Sequence, residues 1–299
     1  MSSPAELPIT GYLDRFSHRP GERFTAFVSV KAGGEARARL VRVISGDPNP
    51  DGPGLRFEDL SHRFDVTFAG RHQPIRIGSH AVVLRAPQRE TGPLTWTALV
   101  RFDVLPRAEA VVMAEGNVAL CVSPEGVVAR VGDAVVATER AVALRAWHRL
   151  WCSADPGTGR VAVGFVPLDG GAEVVATTVV RGLQLPGGGG RLTIAADTKG
   201  ERHLTAKVED PALLEGYRDN FPHPDATLAA LDPIAGWDFC RDMPTQRILD
   251  VGEQQCDGYL VNIPTRAMVG ARWSGREMCW RHAPEDYAAI HFHADDLGD

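Results

Sequence analysis

No stretch of the 299 residues approaches the roughly 18 unbroken apolar positions that a membrane-spanning helix needs. The opening residues, Met1 to Leu7, have no basic segment followed by an apolar core, so no secretory leader is read there. Together these absences point to a soluble, cytoplasmic chain with no membrane partner. Cysteine is scarce. Cys121, Cys152, Cys240, Cys256 and Cys279 make an odd number with no CxxC pair, which excludes a disulfide framework and a zinc ribbon and leaves reduced, mostly buried thiols. Lysine is rare beside arginine, and a net charge of -6 provides no basic face, which excludes nucleic acid as a partner. Helical periodicity is also missing through residues 1–210.

Short apolar or alternating runs take its place, separated by Gly, Pro and Asp, in a chain long enough for two modules and a tail. Residues 24–30, 38–44, 62–68 and 81–85 read as strands of a small N-terminal sandwich over 1–88, with an immunoglobulin-like topology as the expectation. A polar, breaker-rich stretch, Ala86 to Pro93, marks the boundary. Strands are then expected at 94–104, 110–114, 118–122, 127–131, 148–153, 160–166, 174–180 and 191–196, forming a jelly-roll sandwich over 89–210. The turns Ser123-Pro124-Glu125-Gly126 and Asp155-Pro156-Gly157-Thr158-Gly159, and the glycines at 187–190, fall where hairpin connections are needed. After Asp210 the pattern loses its period. Residues 211–299 read as an irregular tail, with a short helical possibility before 232 and strand-like runs only at 258–262 and 288–293.

Several segments carry a family resemblance. Leu94 to Arg101, the Trp147 segment, the Asp155 hairpin and Gly200 to Val208 resemble landmarks of laminin G-like, concanavalin A-type domains. Gly11-Tyr12-Leu13-Asp14, Gly236-Trp237-Asp238-Phe239, Asp242-Met243-Pro244-Thr245, Val261 to Met268, and Trp280 to Glu285 with Ile290 to His293 are similar to the large subunit of N,N-dimethylformamidases. That resemblance implies hydrolysis of an N-substituted formamide to formate and an amine. It places the single iron, held by Tyr, His and Glu, in a later domain similar to glutamine amidotransferases. Those positions have no counterpart in this sequence, so no catalytic residue and no cofactor is assigned to the chain.

Three readings follow. The first is a non-catalytic scaffold that packs against the catalytic domain or subunit of such an enzyme, in an oligomer. The second is a carbohydrate-binding module with a glycan as ligand. The third is an autonomous metal hydrolase using His291, His293 and Asp295, with His282 and Asp296 near them in sequence. Alternation on a strand turns His291 and His293 to one face, but a strand at the chain end is poorly placed to close the outer shell a metal requires, so local hydrogen bonding is expected. Trp237, Trp273, Trp280 and Phe292 exceed what so little chain is expected to bury, and are read as a ligand or partner surface. Cys279 beside Trp280 is read as packing rather than as a nucleophile. Trp96, Trp147 and Trp151 are read as core rather than as a sugar-stacking platform. Asp47, Asn49 and Asp51 are read as turn formers rather than a calcium loop.

Overall fold

β-branched and apolar residues alternate between Gly, Asp and Pro breakers along most of the chain, and this pattern sets the strands. The computed structural model describes residues 7–14, 17–47, 49, 51–73, 76–272 and 284–295. The chain is nearly all β and divides into two compact units, residues 1–76 and 77–299. No helix among the described residues is long and apolar enough to cross a membrane.

The first unit consists of three two-stranded antiparallel ladders. β1 (Ile9–Leu13) pairs with β2 (Ala26–Val30), β3 (Gly34–Arg39) with β6 (Asp65–Gly70), and β4 (Val41–Gly46) with β5 (Leu55–Asp59). The run expected at 38–44 is therefore split. Leu40 forms the corner, donating its N–H to Phe64 O at 3.0 Å and accepting from Leu60 N–H at 3.0 Å, so the chain changes ladder there. Tyr12 stacks on Phe27 with ring centroids 4.9 Å apart. Among the described apolar side chains of this unit, only Val30 and Ala36 are buried. Asp47 and Asn49 accept Asx-type bonds from Asn49 N–H (2.9 Å) and Asp51 N–H (3.1 Å), in keeping with turn formation.

The second unit begins earlier than the boundary expected at residue 88. Its first strand, β7 (His80–Val83), is wholly buried and hydrogen-bonded into the large sheet, so the run expected at 81–85 belongs here. β8 (Leu94–Arg101), β9 (Ala110–Glu115), β10 (Val118–Ser123), β11 (Gly126–Val131), β12 (Ala134–Ala137), β13 (Trp147–Asp155), β14 (Arg160–Pro167), β15 (Val174–Val179), β16 (Leu192–Ile194) and β17 (Ala206–Glu215) follow. A short helix α1 (Leu228–Leu231) is capped by Thr227, whose side chain accepts from Ala230 N–H. The remaining strands are β18 (Ala235–Asp238), β19 (Arg247–Asp250), β20 (Gly258–Val261), β21 (Thr265–Met268) and β22 (Ala289–Phe292).

These strands form one hydrogen-bonded path, β12-β11-β10-β9-β16-β7-β20-β19-β18-β17-β8-β13-β14-β15, with β22 paired to β17 and β21. The path folds over so that β11 lies against β13 and β14, and the single β18–β19 pair joins the two layers at one side. Trp96, Phe102, Met113, Leu120, Leu150 and Val163 fill the space between the layers. The tail is part of this structure, because β18 to β22 extend both layers and bury Trp237 and Phe292 in the same core.

β13 is covered on both faces. Leu150 points into the main core, while Trp151 packs with Leu214, Phe221 and Leu228 in a second cluster under α1. A strand buried on both sides reads as an unbroken apolar run, and any charge on it must find partners away from water.

Candidate functional site

Arg149 is that charge. On β13 it shares the outer face with Trp151, and its side chain is fully buried. Strand register aligns Arg149, Leu99 and Glu209 in one row across β13, β8 and β17. In β17 the register shifts between Glu209 and Ala212, where Pro211 has no N–H to give to the ladder. Asp210 takes a left-handed φ of 48°, which Asp tolerates better than most residues, and the bulge leaves two adjacent carboxylates buried on this strand.

Arg272, from the loop after β21, closes the group. It donates to Glu209 Oε1 at 2.6 Å and to Asp210 Oδ2 at 2.7 Å. Ala271 N–H donates to Glu209 Oε2 at 2.5 Å. Arg149 donates to Pro224 O at 3.0 Å and Ala226 O at 2.8 Å, and Arg272 reaches the same Ala226 carbonyl at 3.1 Å. Arg272 thus pairs with both carboxylates, while Arg149 adds its charge nearby, and both guanidiniums pin the segment leading into α1. Burial, reinforced by the Asp210 charge, pushes Glu209 up to about 7 against the pull of Ala271 N–H, Arg272 and Arg149. Burial also raises Asp210 and lowers Arg149 to about 10, which leaves the guanidinium a cation at neutral pH.

A cavity of about 400 Å³ opens beside this group, lined by Asp210, Arg272, Asp238, Cys240, Arg241 and Glu285 among others. Asp238 organises its wall: its Oδ1 accepts from Cys240 N–H at 3.0 Å and from the Cys240 thiol at 2.7 Å, and its Oδ2 pairs with Arg241 at 3.0 Å. Burial, then the Asp238 hydrogen bond and charge, push the Cys240 thiol up to about 12. A thiol held protonated in this way is not a nucleophile at neutral pH. The cavity offers fixed ion pairs and a polar rim, a setting for binding or packing.

Among the residues expected to carry function, His291 of β22 and His293, just past its end, lie close together with ring centroids 4.0 Å apart. Asp295 is exposed. Among the described residues, no group of three or more His, Cys, Asp and Glu is placed to hold a metal ion. Trp237 and Phe292 are fully buried, so they correct the expectation of an exposed partner surface: strand pairing folds the tail inward, and Trp237 donates to Cys256 O at 2.9 Å. Trp273, Trp280, Cys279, His282 and Asp296 lie outside the described residues. Trp96 and Trp151 are buried in different clusters, so with Trp147 they form no stacking platform.

Two groupings escaped sequence reasoning. Acidic Glu209-Asp210 inside the apolar run of β17, and Arg149 inside that of β13, are the signal that could have disclosed the buried quartet. The other, His80 with His203, carries no local signal at all. His80 Nδ1 lies 3.3 Å from His203 Nε2, and the neighbouring Ser79 is bonded through its N–H to His293 O (2.8 Å) and through its hydroxyl to His293 N–H (2.9 Å). Burial, then the charge of His203, push His80 down to about 4 from an ordinary value of 6.5. The folded state therefore keeps His80 neutral where the unfolded chain would protonate it. The resulting stability is fully present above about pH 6.5 and is lost as pH falls toward 4. After discounting for solvent screening, the expected loss is about 1–2 kcal/mol. Urea midpoints from pH 8 to 5 should fall more steeply for the wild type than for His80→Gln, and parallel curves would contradict this.

No protein-family model matches the chain. Compared with curated proteins, it is 26% identical over 339 aligned residues to the N,N-dimethylformamidase beta subunit of Paracoccus aminophilus, and 26% identical over 340 to that of an Alcaligenes species. Each alignment takes in 98% of this chain. Along nearly its whole length the chain is therefore similar to part of N,N-dimethylformamidase beta subunits. It spans 44% of the length of either relative. Among solved structures, a putative carbohydrate binding protein from Bacteroides ovatus aligns with a TM-score of 0.47 at 14% identity, over 69% of this chain and 65% of its own. A SAP-like pentraxin from Limulus polyphemus aligns with a TM-score of 0.37 at 14% identity, over 49% of this chain and 73% of its own.

Three of the segments that carry the dimethylformamidase-like resemblance, residues 236–239, 242–245 and 261–268, meet in space. Arg266 donates to Thr245 O (2.8 Å), Arg247 O (2.6 Å), Phe239 O (3.2 Å) and Arg241 O (3.0 Å). It thereby ties the Gly236–Phe239 motif, the Asp242–Thr245 motif and its own segment together. Thr245 donates to Asp242 Oδ2 at 2.9 Å within the second motif, and Asn262 donates to Gly78 O at 3.0 Å. Of these three motifs only Asp238 reaches the cavity, and Asn262 ties its segment to Gly78, just before β7.

Proposed function

We propose that this chain is a non-catalytic, packing part of an N,N-dimethylformamidase-like amidohydrolase, holding a catalytic domain or subunit that converts an N-substituted formamide and water to formate and an amine. The observation that carries this reading is the similarity over 98% of the chain to a region that makes up only 44% of each dimethylformamidase beta subunit.

The chemistry of the described residues supports it. In the cavity beside the buried charges, two acidic groups are committed to partners: Asp210 to Arg272, and Asp238 to Arg241 and Cys240. Such groups hold position and exclude water, and their fixed pairing favours packing over proton transfer.

Incubating the purified chain with dimethylformamide, with formate release and bound metal measured together, tests this directly. The expected result is no formate above the blank and no stoichiometric iron. Turnover accompanied by one iron per chain would place a complete active site in these residues and overturn the proposal.

A further inference from the structure

β15 ends its layer, hydrogen-bonded to β14 and to no other described strand. Its sequence, Val174-Val175-Ala176-Thr177-Thr178-Val179, contains no charge and no proline, and its register with β14 has no bulge. Those are the devices by which an edge strand is normally kept from pairing. The strand at the opposite end of the path, β12, is blunted by being only four residues long. In β15, Thr177, Thr178 and Val179 are exposed, Val179 to 68%.

The direction of the free hydrogen bonds can be read from one contact. Val180 N–H donates to Gly159 O at 2.7 Å, back toward β14. Alternation then turns the peptide groups of Val175, Thr177 and Val179 outward. Glu173 and Arg181 stand equally far along the chain on either side of Thr177. Both are exposed, and neither has an ion-pair partner among the described residues. Glu173 is held at the strand entrance by Phe221 N–H, which donates to its Oε1 at 2.6 Å.

We propose that the free edge of β15 pairs antiparallel with β15 of a second copy of this chain, about a two-fold axis at Thr177, with Glu173 of each copy facing Arg181 of the other. Parity fits this register. Thr177 meets itself and Val175 meets Val179, each presenting outward peptide groups, whereas a one-residue slip would set an outward group against an inward one. The contact is isologous and closes as a dimer, and every pairing in it, including the ion pair, occurs twice. It requires no catalytic partner.

Sedimentation velocity on the whole chain between about 1 and 100 μM reads the outcome, the range in which a modest strand-pairing interface is populated. A dimer whose fraction rises with concentration is expected. Glu173→Arg and Arg181→Glu should each weaken it by roughly tenfold or more, since each sets two like charges opposite one another, and combining them should restore it. Thr177→Pro removes an outward N–H while leaving the ladder to β14 intact, and should yield a folded monomer. If that variant fails to fold, Thr177→Cys should give a disulfide-linked dimer under mild oxidation and Val179→Cys should not. A wild type that stays monomeric, a double charge variant no better than the singles, or cross-linking indifferent to position would each overturn the proposal.

Discussion

Replacing Arg149 with methionine should cost the second unit about 3–5 kcal/mol, the range expected when one member of a buried, paired charge group is removed. Methionine keeps the unbranched apolar stem without the guanidinium, so the loss is mainly of charge and hydrogen bonds. Glu209 and Asp210 would be left facing Arg272 alone, and the Pro224 and Ala226 carbonyls would lose their donors. Arg149→Lys keeps the charge but gives up the planar fork that reaches both carbonyls, so it should recover only part of the loss. Urea unfolding followed by circular dichroism separates the three proteins. A methionine variant within about 1 kcal/mol of wild type would mean that the carboxylates are satisfied without Arg149.

Truncating Trp237 to alanine should cost a similar amount, about 3–5 kcal/mol, because a fully buried indole is replaced by a cavity and its hydrogen bond to Cys256 O is lost. The form of the transition is as informative as its size. With β18 to β22 sharing one core with the rest of the unit, unfolding of residues 77–299 should remain a single cooperative event displaced to lower denaturant. An early transition confined to the tail, with the remainder unmoved, would show that the tail docks as a separate body.

What could be read in the sequence follows the range of the interactions involved. The strands at 110–115, 118–123, 126–131 and 160–167 announce themselves through alternation between turn residues, a local signal that survives because each has a neighbour in sequence beside it in the sheet. β18, β19 and β21 give no such signal. Each is four residues long, and each is held by strands or by Arg266 from elsewhere in the chain. Trp237 and Phe292 looked like surplus apolar surface only because residues 233–299 were weighed against their own length instead of against a core already built by β8 and β13. The quartet was hidden differently. Arg149 looks solvated until the segment carrying Phe221 and Ala226 is known to lie over it, and that cover is reached only through tertiary packing.

Ser79 at the start of the second unit is bonded to His293 near its end, and β7 completes its pairing only through β20. The sheet therefore cannot close until β20 and β22 have been made: a nascent unit lacking them presents β7 paired on one side only and an open core. Few of its stabilising contacts form early, so folding should be slow for its size, in the millisecond-to-second range typical of strands paired across long sequence separations, and exposed to misassembly until those last strands are in place.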